Sequence, residues 1–269
     1  MTTTTIAVTP ARLRWTGVWH ATLLPILLVI VWQVWALTLP ENSAAPSPVK
    51  VMHAFFELVA NGGLISATVQ SLGRVLVGFA FALVVGVSLG ALMGSNPTVR
   101  HNLDPLIESF RPIAPMALLP MAILWFGTGT APSLFIVAYA AFFPMLVNTV
   151  HAVSRVDRKL VMAGMTMGIP RAKILVRIIL PAALPGVLLG ARLAMGVAWT
   201  AIIAAELAVG AKSGAGQSGG IGQMMFVFYA YSIDLNNIVV CMIVVGLVAL
   251  AIDKIFRFAE FRFMPWRHK

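Results

Sequence analysis

The sequence is a series of long apolar runs separated by short polar stretches. The first run lies between Arg14 and Glu41 and is bracketed by tryptophans, which are common at membrane interfaces. A lipid core offers no water to backbone amides, so runs of this length are expected to be spanning helices. We predict an all-α, polytopic transmembrane fold of about six spans within residues 18–257. After the first, the predicted spans are 74–94, 106–126, 133–150, 184–207 and 236–256.

Prolines, glycines and one shorter apolar pattern modify this outline. Pro112, Pro115 and Pro120 interrupt the third span, which we expect to be kinked, and Pro144 is expected to bend the fourth. Apolar residues at helical spacing in 51–59 predict a short helix on the outer surface. The second span carries small residues that allow close contact with another helix: Gly78, Gly86 and Gly90.

Composition supports a membrane location. Hydrophobic residues make up 59% of the 269 residues and charged residues 10%, which is too apolar for an ordinary soluble domain. The single cysteine, Cys241, lies in an apolar run, so no intrachain disulfide can form. We expect this side chain to pack between helices.

The distribution of charge predicts the orientation. The net charge is +10, but the basic residues lie between apolar runs and form no patch with aromatic partners, which excludes a nucleic-acid partner. Apart from Lys50 and Lys212, the basic residues outside the spans fall on the side that holds the tails, 1–17 and 258–269, and the long loop 151–182. The positive-inside rule then predicts that both termini and this loop are cytoplasmic.

The loop 151–182 has the residues of two short helices that meet at a sharp corner. Asp157 favours the start of the first helix, Gly168 suits the left-handed position that closes it, and Pro170 suits the first turn of the second. Ala163 and Gly164 are small and predict a shallow face into which another protein could fit closely. The plainer alternative is that a basic loop between spans only fixes orientation.

This loop resembles the coupling loop of ABC-importer permeases. The family signature is Glu-Ala-Ala, three residues, Gly, nine residues, Ile, any residue, Leu-Pro. Met162 replaces the family's glutamate. Gly164 stands at the second alanine, and the other positions match at the family spacing: Ala163, Gly168, Ile178, Leu180 and Pro181.

From about residue 70 to the C-terminus, the chain is similar to the nitrate, sulfonate, taurine and bicarbonate class of these permeases. The segments that carry this similarity are Leu103-Asp104-Pro105, Leu118-Leu119-Pro120, 123–127, Phe143-Pro144, Val156-Asp157 and Ala204-Ala205-Glu206.

The resemblance implies a type I ABC importer permease in a bacterial inner membrane. It implies a homodimer with a second permease copy, two cytoplasmic ATP-binding subunits and an external or periplasmic substrate-binding protein. The partner subunits would bind ATP and Mg; this chain lacks the Gly-x-x-x-x-Gly-Lys-Ser/Thr phosphate loop and would be no enzyme, with no cofactor of its own. The residues implied in ATPase coupling are Met162, Ala163, Gly164, Gly168, Pro170, Arg171, Leu180 and Pro181.

Charged residues inside the predicted spans are costly to bury and need a partner or a wet cavity. Glu108 and Arg111 are three residues apart and could pair on one helix face. Arg192 and Glu206 lie near the two ends of the fifth span. Structural pairing is one interpretation of these charges; the other is that Arg111, Arg192 and Glu206 line the path of a small anion. The resemblance implies taurine or another sulfonate ahead of nitrate.

The glycine-rich stretch after the fifth span matches two enzyme motifs by its letters. Residues 214–219 fit the dinucleotide fingerprint and 216–220 fit the hydrolase nucleophile elbow, but both follow a predicted spanning helix where those motifs require a strand. We interpret the stretch as a flexible loop before the family's Gly-hydrophobic-Gly, here Gly220-Ile221-Gly222. The five histidines show no metal-ligand spacing.

Two rival functions are weighed against the importer. A secondary transporter or channel without an ATPase partner would be built from inverted halves with corresponding broken helices, and the sequence shows no such symmetry. An intramembrane enzyme would need catalytic groups that converge at membrane depth, and Ser, His and Asp are not grouped in that way.

Overall fold

The structure, a computed structural model, describes residues 16–38, 45–127, 129–213 and 219–263. These ranges are helical and contain no strand, so the all-α prediction is confirmed. Most of the predicted N-terminal tail 1–17, the end of the basic tail 258–269 and residues 214–218, which hold most of both enzyme-like motifs, lie outside the described residues. The helices are α1 (Thr16–Thr38), α2 (Pro48–Ala60), α3 (Gly63–Ser95), α4 (Pro97–Phe110), α5 (Leu119–Phe126), α6 (Thr130–Ser154), α7 (Arg158–Thr166), α8 (Arg171–Ile174), α9 (Leu180–Ser213), α10 (Ile221–Val227) and α11 (Leu235–Phe263).

Within the described part of the chain, four helical stretches are long and apolar enough to cross a membrane. They contain the predicted second, fourth, fifth and sixth spans, and each extends beyond its predicted bounds. The first predicted span is α1, a helix of 23 residues from Thr16 to Thr38. The four stretches are Gly63–Ser95, Thr130–Ser154, Arg171–Val209 and Leu235–Arg262.

The predicted third span is two helices instead of one kinked helix. α4 begins at Pro97, capped by Asn96, inside the stretch predicted as a short loop. After Phe110 the chain turns by 79° before it continues as α5. The turn contains Pro112 and Pro115, whose missing N–H groups cannot donate to the carbonyls of α4, and a 3₁₀ turn over Pro115–Leu118 leads into α5.

α3, α6 and α9 form the centre of the bundle. Val75, Met145 and Trp199 are buried there, one from each helix. The Trp199 indole N–H donates to the Val245 carbonyl at 3.1 Å, which joins α9 to α11. Close contact between α3 and α6 depends on small residues, because a Cβ at Gly90 would lie only 2.7 Å from the Thr149 Cβ. The predicted role in close helix contact is confirmed for Gly78, Gly86 and Gly90.

The short helix predicted at 51–59 is α2. The Ser47 hydroxyl caps it by accepting the Lys50 N–H at 3.3 Å. Val51 and Ala54 are buried in one cluster with Cys241 of α11. Cys241 is 0% exposed, so its predicted role in helix packing is confirmed.

Two connections between predicted spans contain more continuous helix than predicted. In 151–182 the predicted separate second helix is wrong, because α8 continues through a π turn, Leu175–Ile179, into α9. The π turn accommodates the missing N–H of Pro181 without ending the helix. Between the predicted fifth and sixth spans, the structure contains α10 and a π turn at Phe228–Ser232.

Candidate functional site

The corner after α7 is built from local backbone chemistry. Asp157 Oδ1 accepts the Lys159 N–H at 2.9 Å and caps α7. Gly168 has a φ of 72°, the left-handed conformation that glycine adopts without steric cost. The roles predicted for Asp157 and Gly168 are confirmed. Pro170 stands at the cap of α8 instead of in its first turn, and its carbonyl accepts the Lys173 N–H at 2.8 Å.

Gly164 lies on the inner side of α7, which corrects the prediction that it shares an outer face with Ala163. A Cβ at Gly164 would lie 2.7 Å from Cδ1 of Ile178 in the π turn. The Gly164 carbonyl also accepts the Ile169 N–H at 3.1 Å. Successive residues of an α-helix point about 100° apart, so these neighbours face different surroundings. The contact between Gly164 and Ile178 holds α7 against the start of the long α8–α9 helix.

The outer side of α7 is exposed and carries large apolar side chains. Met162 is 61% exposed and Met165 is 49% exposed. Ala163 and Lys159 are exposed beside them. Apolar side chains grouped on the surface of a polar segment are typical of a contact with another protein, and methionine adapts to such contacts because its side chain is flexible.

The distal end of the signature connects the corner to the bundle. Leu180 packs against a buried cluster that includes Ala91 of α3 and Val153 of α6. Pro181 and Arg171 are exposed. The signature therefore places its glycines at the corner and its leucine against the spanning helices.

Glu206 lies inside the bundle and is 2% exposed. Arg74 Nη1 donates to its Oε1 at 2.7 Å. Its Oε2 accepts the Ser71 hydroxyl at 2.7 Å and the Gly222 N–H at 3.1 Å. This position differs from the path-lining position predicted for Glu206 and agrees with the interpretation of structural pairing.

Arg192 is also paired within the chain. Its Nε and Nη2 donate to Oδ1 of Asp253 in α11 at 2.7 Å and 2.6 Å. Asp253 Oδ2 accepts from Arg257 Nε at 2.9 Å. The guanidinium of Arg192 is thus engaged by a carboxylate, and the interpretation of structural pairing applies to it as well.

Sequence reasoning missed the partners of these charges, Ser71, Arg74 and Asp253. An available signal was the presence of Arg74 and Asp253 in or beside other apolar runs, since a charge at membrane depth needs an opposite charge nearby. That signal does not say which charges meet. Ser71 carried no signal in the sequence.

Arg111 borders a cavity. It ends α4, and the predicted pairing with Glu108 is wrong, because no carboxylate of the described residues lies within 4.0 Å of its guanidinium. Pairs three residues apart on an exposed helix face are weak, because fixing two long side chains costs entropy. A cavity of about 340 Å³, also lined by Tyr139 and Asn148, opens beside Arg111.

Comparison with known proteins places these features in a family context. Residues 82–263 match the family described as binding-protein-dependent transport system inner membrane component. An ABC transporter permease protein of Methanocaldococcus jannaschii is 36% identical, over 91% of this chain and 90% of that protein. The taurine transport system permease protein TauC of Escherichia coli is 34% identical, over 90% of this chain and 87% of that protein. The nitrate import permease protein NrtB of Synechocystis sp. is 32% identical, over 90% of this chain and 88% of that protein.

A solved structure shares the fold. A chain of the MetNI methionine ABC transporter, in an inward-facing conformation, matches with a TM-score of 0.63 and 17% identity, over 75% of this chain and 96% of that chain. The expected type I ABC importer permease fold is thereby confirmed.

Proposed function

The chain belongs to the family of binding-protein-dependent transport system inner membrane components, and on that premise we propose that it forms the translocation path of an ATP-driven importer for a small anion. The observation that carries the proposal is the corner at α7, which has an exposed apolar outer side and an inner side locked to a spanning helix. A separate ATP-binding subunit needs both features: a surface on which it can dock and a rigid connection from that surface to the spanning helices.

Coupling follows from the continuity of α8 and α9. The outer side of α7, around Met162 and Ala163, docks on a cytoplasmic ATP-binding subunit. When two such subunits close on ATP and Mg, α7 moves with them. Because Gly164 is in contact with Ile178, and the helix runs on from Arg171 to Val209, the movement reaches the centre of the bundle. Leu180 and Pro181 lie where this helix enters the bundle.

The proposed substrate is a small oxyanion. Relatives named for taurine and for nitrate are similar to this chain over most of its length, and both solutes carry oxygen atoms that share a negative charge. Taurine or another sulfonate is the first solute to test, and nitrate is the second. Selection among oxyanions is assigned chiefly to the external binding protein.

The proposed assembly contains two copies of this chain, two ATP-binding subunits and one external or periplasmic substrate-binding protein. Both termini and the corner at α7 face the cytoplasm of a bacterial inner membrane. The charge asymmetry of the sequence supports this orientation, because the basic loop 151–182 and both basic tails then lie on the cytoplasmic side.

The test is reconstitution of the purified complex, with its ATP-binding subunits and binding protein, into liposomes. Uptake of labelled taurine or nitrate should require ATP on the side of the liposome membrane that carries the ATP-binding subunits. Uptake that persists without ATP would favour a secondary transporter or channel and contradict the proposal. A permease that purifies with no ATPase would contradict it as well.

Two substitutions at Gly168 test the role of the corner in coupling more specifically. Gly168→Val places a β-branched residue in the left-handed conformation, which costs at least about 1–2 kcal/mol and should displace the corner. We expect ATP hydrolysis to continue while uptake per ATP falls. Gly168→Asn is the control, because asparagine tolerates this conformation and should keep uptake coupled. Equal coupling in both variants, measured as solute imported per ATP hydrolysed, would reject a role for the corner.

A further inference from the structure

One face of α6 is polar although the helix is otherwise apolar. Asn148, His151 and Arg155 follow at intervals of three and four residues, which places them on the same side. Asn148 is half-buried, and the other two are exposed. The opposite side is closed, since Thr149 and Val153 are buried against α3 and its neighbours.

Three cavities adjoin one another along this face. The cavity of about 340 Å³ is lined by Arg111 and Asn148. A cavity of about 160 Å³ shares Arg111 with it and adds His151. A third, of about 290 Å³, is lined by Asn148, His151 and Arg155. Because neighbouring cavities share lining residues, they lie side by side along this face, from the break after α4 to the end of α6.

The charge along these cavities is positive. Arg111 and Arg155 have no ion pair with a described carboxylate. The charged groups that face them from α4 are Glu108 and the pair Arg100–Asp104, joined at 3.2 Å. In the cavity next to Arg155, the residues contributed by α9 carry no carboxylate that could offset its charge. They are Ala182, Ala183, Pro185, Gly186 and Leu189.

We propose that this face, Arg111 with Asn148, His151 and Arg155, is the inner half of the anion route, and that Arg111 is its anion-recognising residue. The inference rests on the proposed function for its direction, which takes α6 as ending on the cytoplasmic side. The ligand class is a monovalent oxyanion such as a sulfonate or nitrate, whose oxygens match the parallel N–H groups of a guanidinium.

The neighbours of Arg111 have hydrogen-bonding capacity that suits this role. Asn148 Nδ2 donates one N–H to the Pro144 carbonyl at 2.8 Å, and its second N–H is left for a ligand. The Tyr139 hydroxyl donates to the Phe110 carbonyl at 2.7 Å. That bond ties α6 to the end of α4 and so keeps Arg111 at the mouth of the larger cavity.

Chemical labelling of single cysteines tests the route without knowledge of the natural substrate. Cys241 is buried, so the unmodified chain in its complex should react little and serve as background. Asn148→Cys is introduced on the polar face, and Val153→Cys, on the buried side of the same helix, is the control. Everted vesicles are treated with an anionic methanethiosulfonate, the ethylsulfonate, or a cationic one, the ethyltrimethylammonium.

At Asn148→Cys the anionic reagent should react about tenfold faster than the cationic one, because a positive cleft raises the local concentration of anions. Val153→Cys should react with neither. Adding Arg111→Gln should bring the two rates together, whereas Arg111→Lys should preserve the preference. Arg262→Gln, which removes an exposed arginine at the end of α11, is the charge-matched control and should leave the preference unchanged.

The result separates this inference from the proposed function. The inference would be overturned if Asn148→Cys did not react from the cytoplasmic side. It would also be overturned if the preference for the anionic reagent survived Arg111→Gln in complexes that still co-purify with the ATPase. Neither outcome would contradict ATP-driven uptake. An anionic preference that depends on Arg111, in a protein without ATP-driven uptake, would support the anion face and reject the importer.

Discussion

At the scale of single residues, Glu206 organises the start of α10. Its Oε2 accepts the Gly222 N–H, and Ser71, which donates to the same oxygen, accepts the Ile221 N–H at 2.9 Å. The first N–H groups of a helix have no partner within the helix, and here side chains of α3 and α9 supply one. A Cβ at Gly220 would overlap the Glu206 carboxylate, which explains the glycine at that position.

Removing one member of the Arg74–Glu206 pair should destabilise the fold strongly. Arg74→Met leaves the Glu206 carboxylate buried without its counter-charge, which costs about 3–5 kcal/mol. The double variant Arg74→Met/Glu206→Gln removes both charges and should regain part of the loss. Thermal unfolding of the purified chain in detergent ranks the variants by their stability.

The pair between α9 and α11 is the matched control for this experiment. The side chains of Arg192 and Asp253 are 28% and 36% exposed, against 2% for Glu206. Arg192→Met should cost less than Arg74→Met, because Asp253 keeps a second counter-charge in Arg257, 2.9 Å from its Oδ2. Equal losses from Arg74→Met and Arg192→Met would contradict the importance assigned to burial.

At the scale of helices, α3 carries glycines in two different environments. A Cβ at Gly90 would lie 2.7 Å from the Thr149 Cβ and 3.0 Å from the Leu146 carbonyl oxygen. A Cβ at Gly73 would have no atom within 4 Å. The same residue type therefore serves close packing against α6 at one site and no packing contact at the other.

This difference predicts opposite effects for the same substitution on one helix. Gly90→Ala should destabilise the chain by about 1–3 kcal/mol, because α3 and α6 would have to separate. Gly73→Ala should be neutral or should stabilise it by up to about 1 kcal/mol, because alanine favours helix over glycine. Denaturation in mixed detergent measures both, and a loss at Gly73 as large as that at Gly90 would count against the packing assigned to α3 and α6.

At the scale of the whole molecule, the proposed anion route and the proposed docking helix are adjacent in the chain. The polar face of α6 ends at Arg155, and α7 begins at Arg158. Displacement of α7 by a motor would therefore act beside the inner opening of the route. Both the proposed route and the proposed docking helix adjoin the central helices α3, α6 and α9. The buried side chains of these three helices belong to one common cluster.

The orientation of this body is testable with tags. Tags at both termini should be accessible to protease in everted vesicles and protected in right-side-out vesicles, because the proposed orientation places the basic tails and loop on the cytoplasmic side. A tag inserted between Asn61 and Gly62, in the turn between α2 and α3, should show the reverse pattern. Termini that are accessible only from outside would reject both the orientation and the proposed coupling.

The corner after α7 could be predicted from the sequence because its residues act through local backbone chemistry. Asp157 caps the helix that follows it, and Gly168 adopts a conformation that few other residues tolerate. The partners of the membrane charges could not be predicted in this way. Arg74 and Glu206 are 132 residues apart, and Arg192 and Asp253 are 61 apart, so no local pattern links them.

The sequence by itself determined the helical class, the approximate spans and the corner, because apolar length, proline, glycine and helix caps act over a few residues. Only the tertiary structure decided that the third span folds by 79° and that α8 runs on into α9. It also decided that Gly164 turns inward, that Arg111 has no ion pair with a carboxylate of the described residues, and that Arg192 and Glu206 are ion-paired. These outcomes depend on distances between segments far apart in the chain, which only packing of the whole bundle sets.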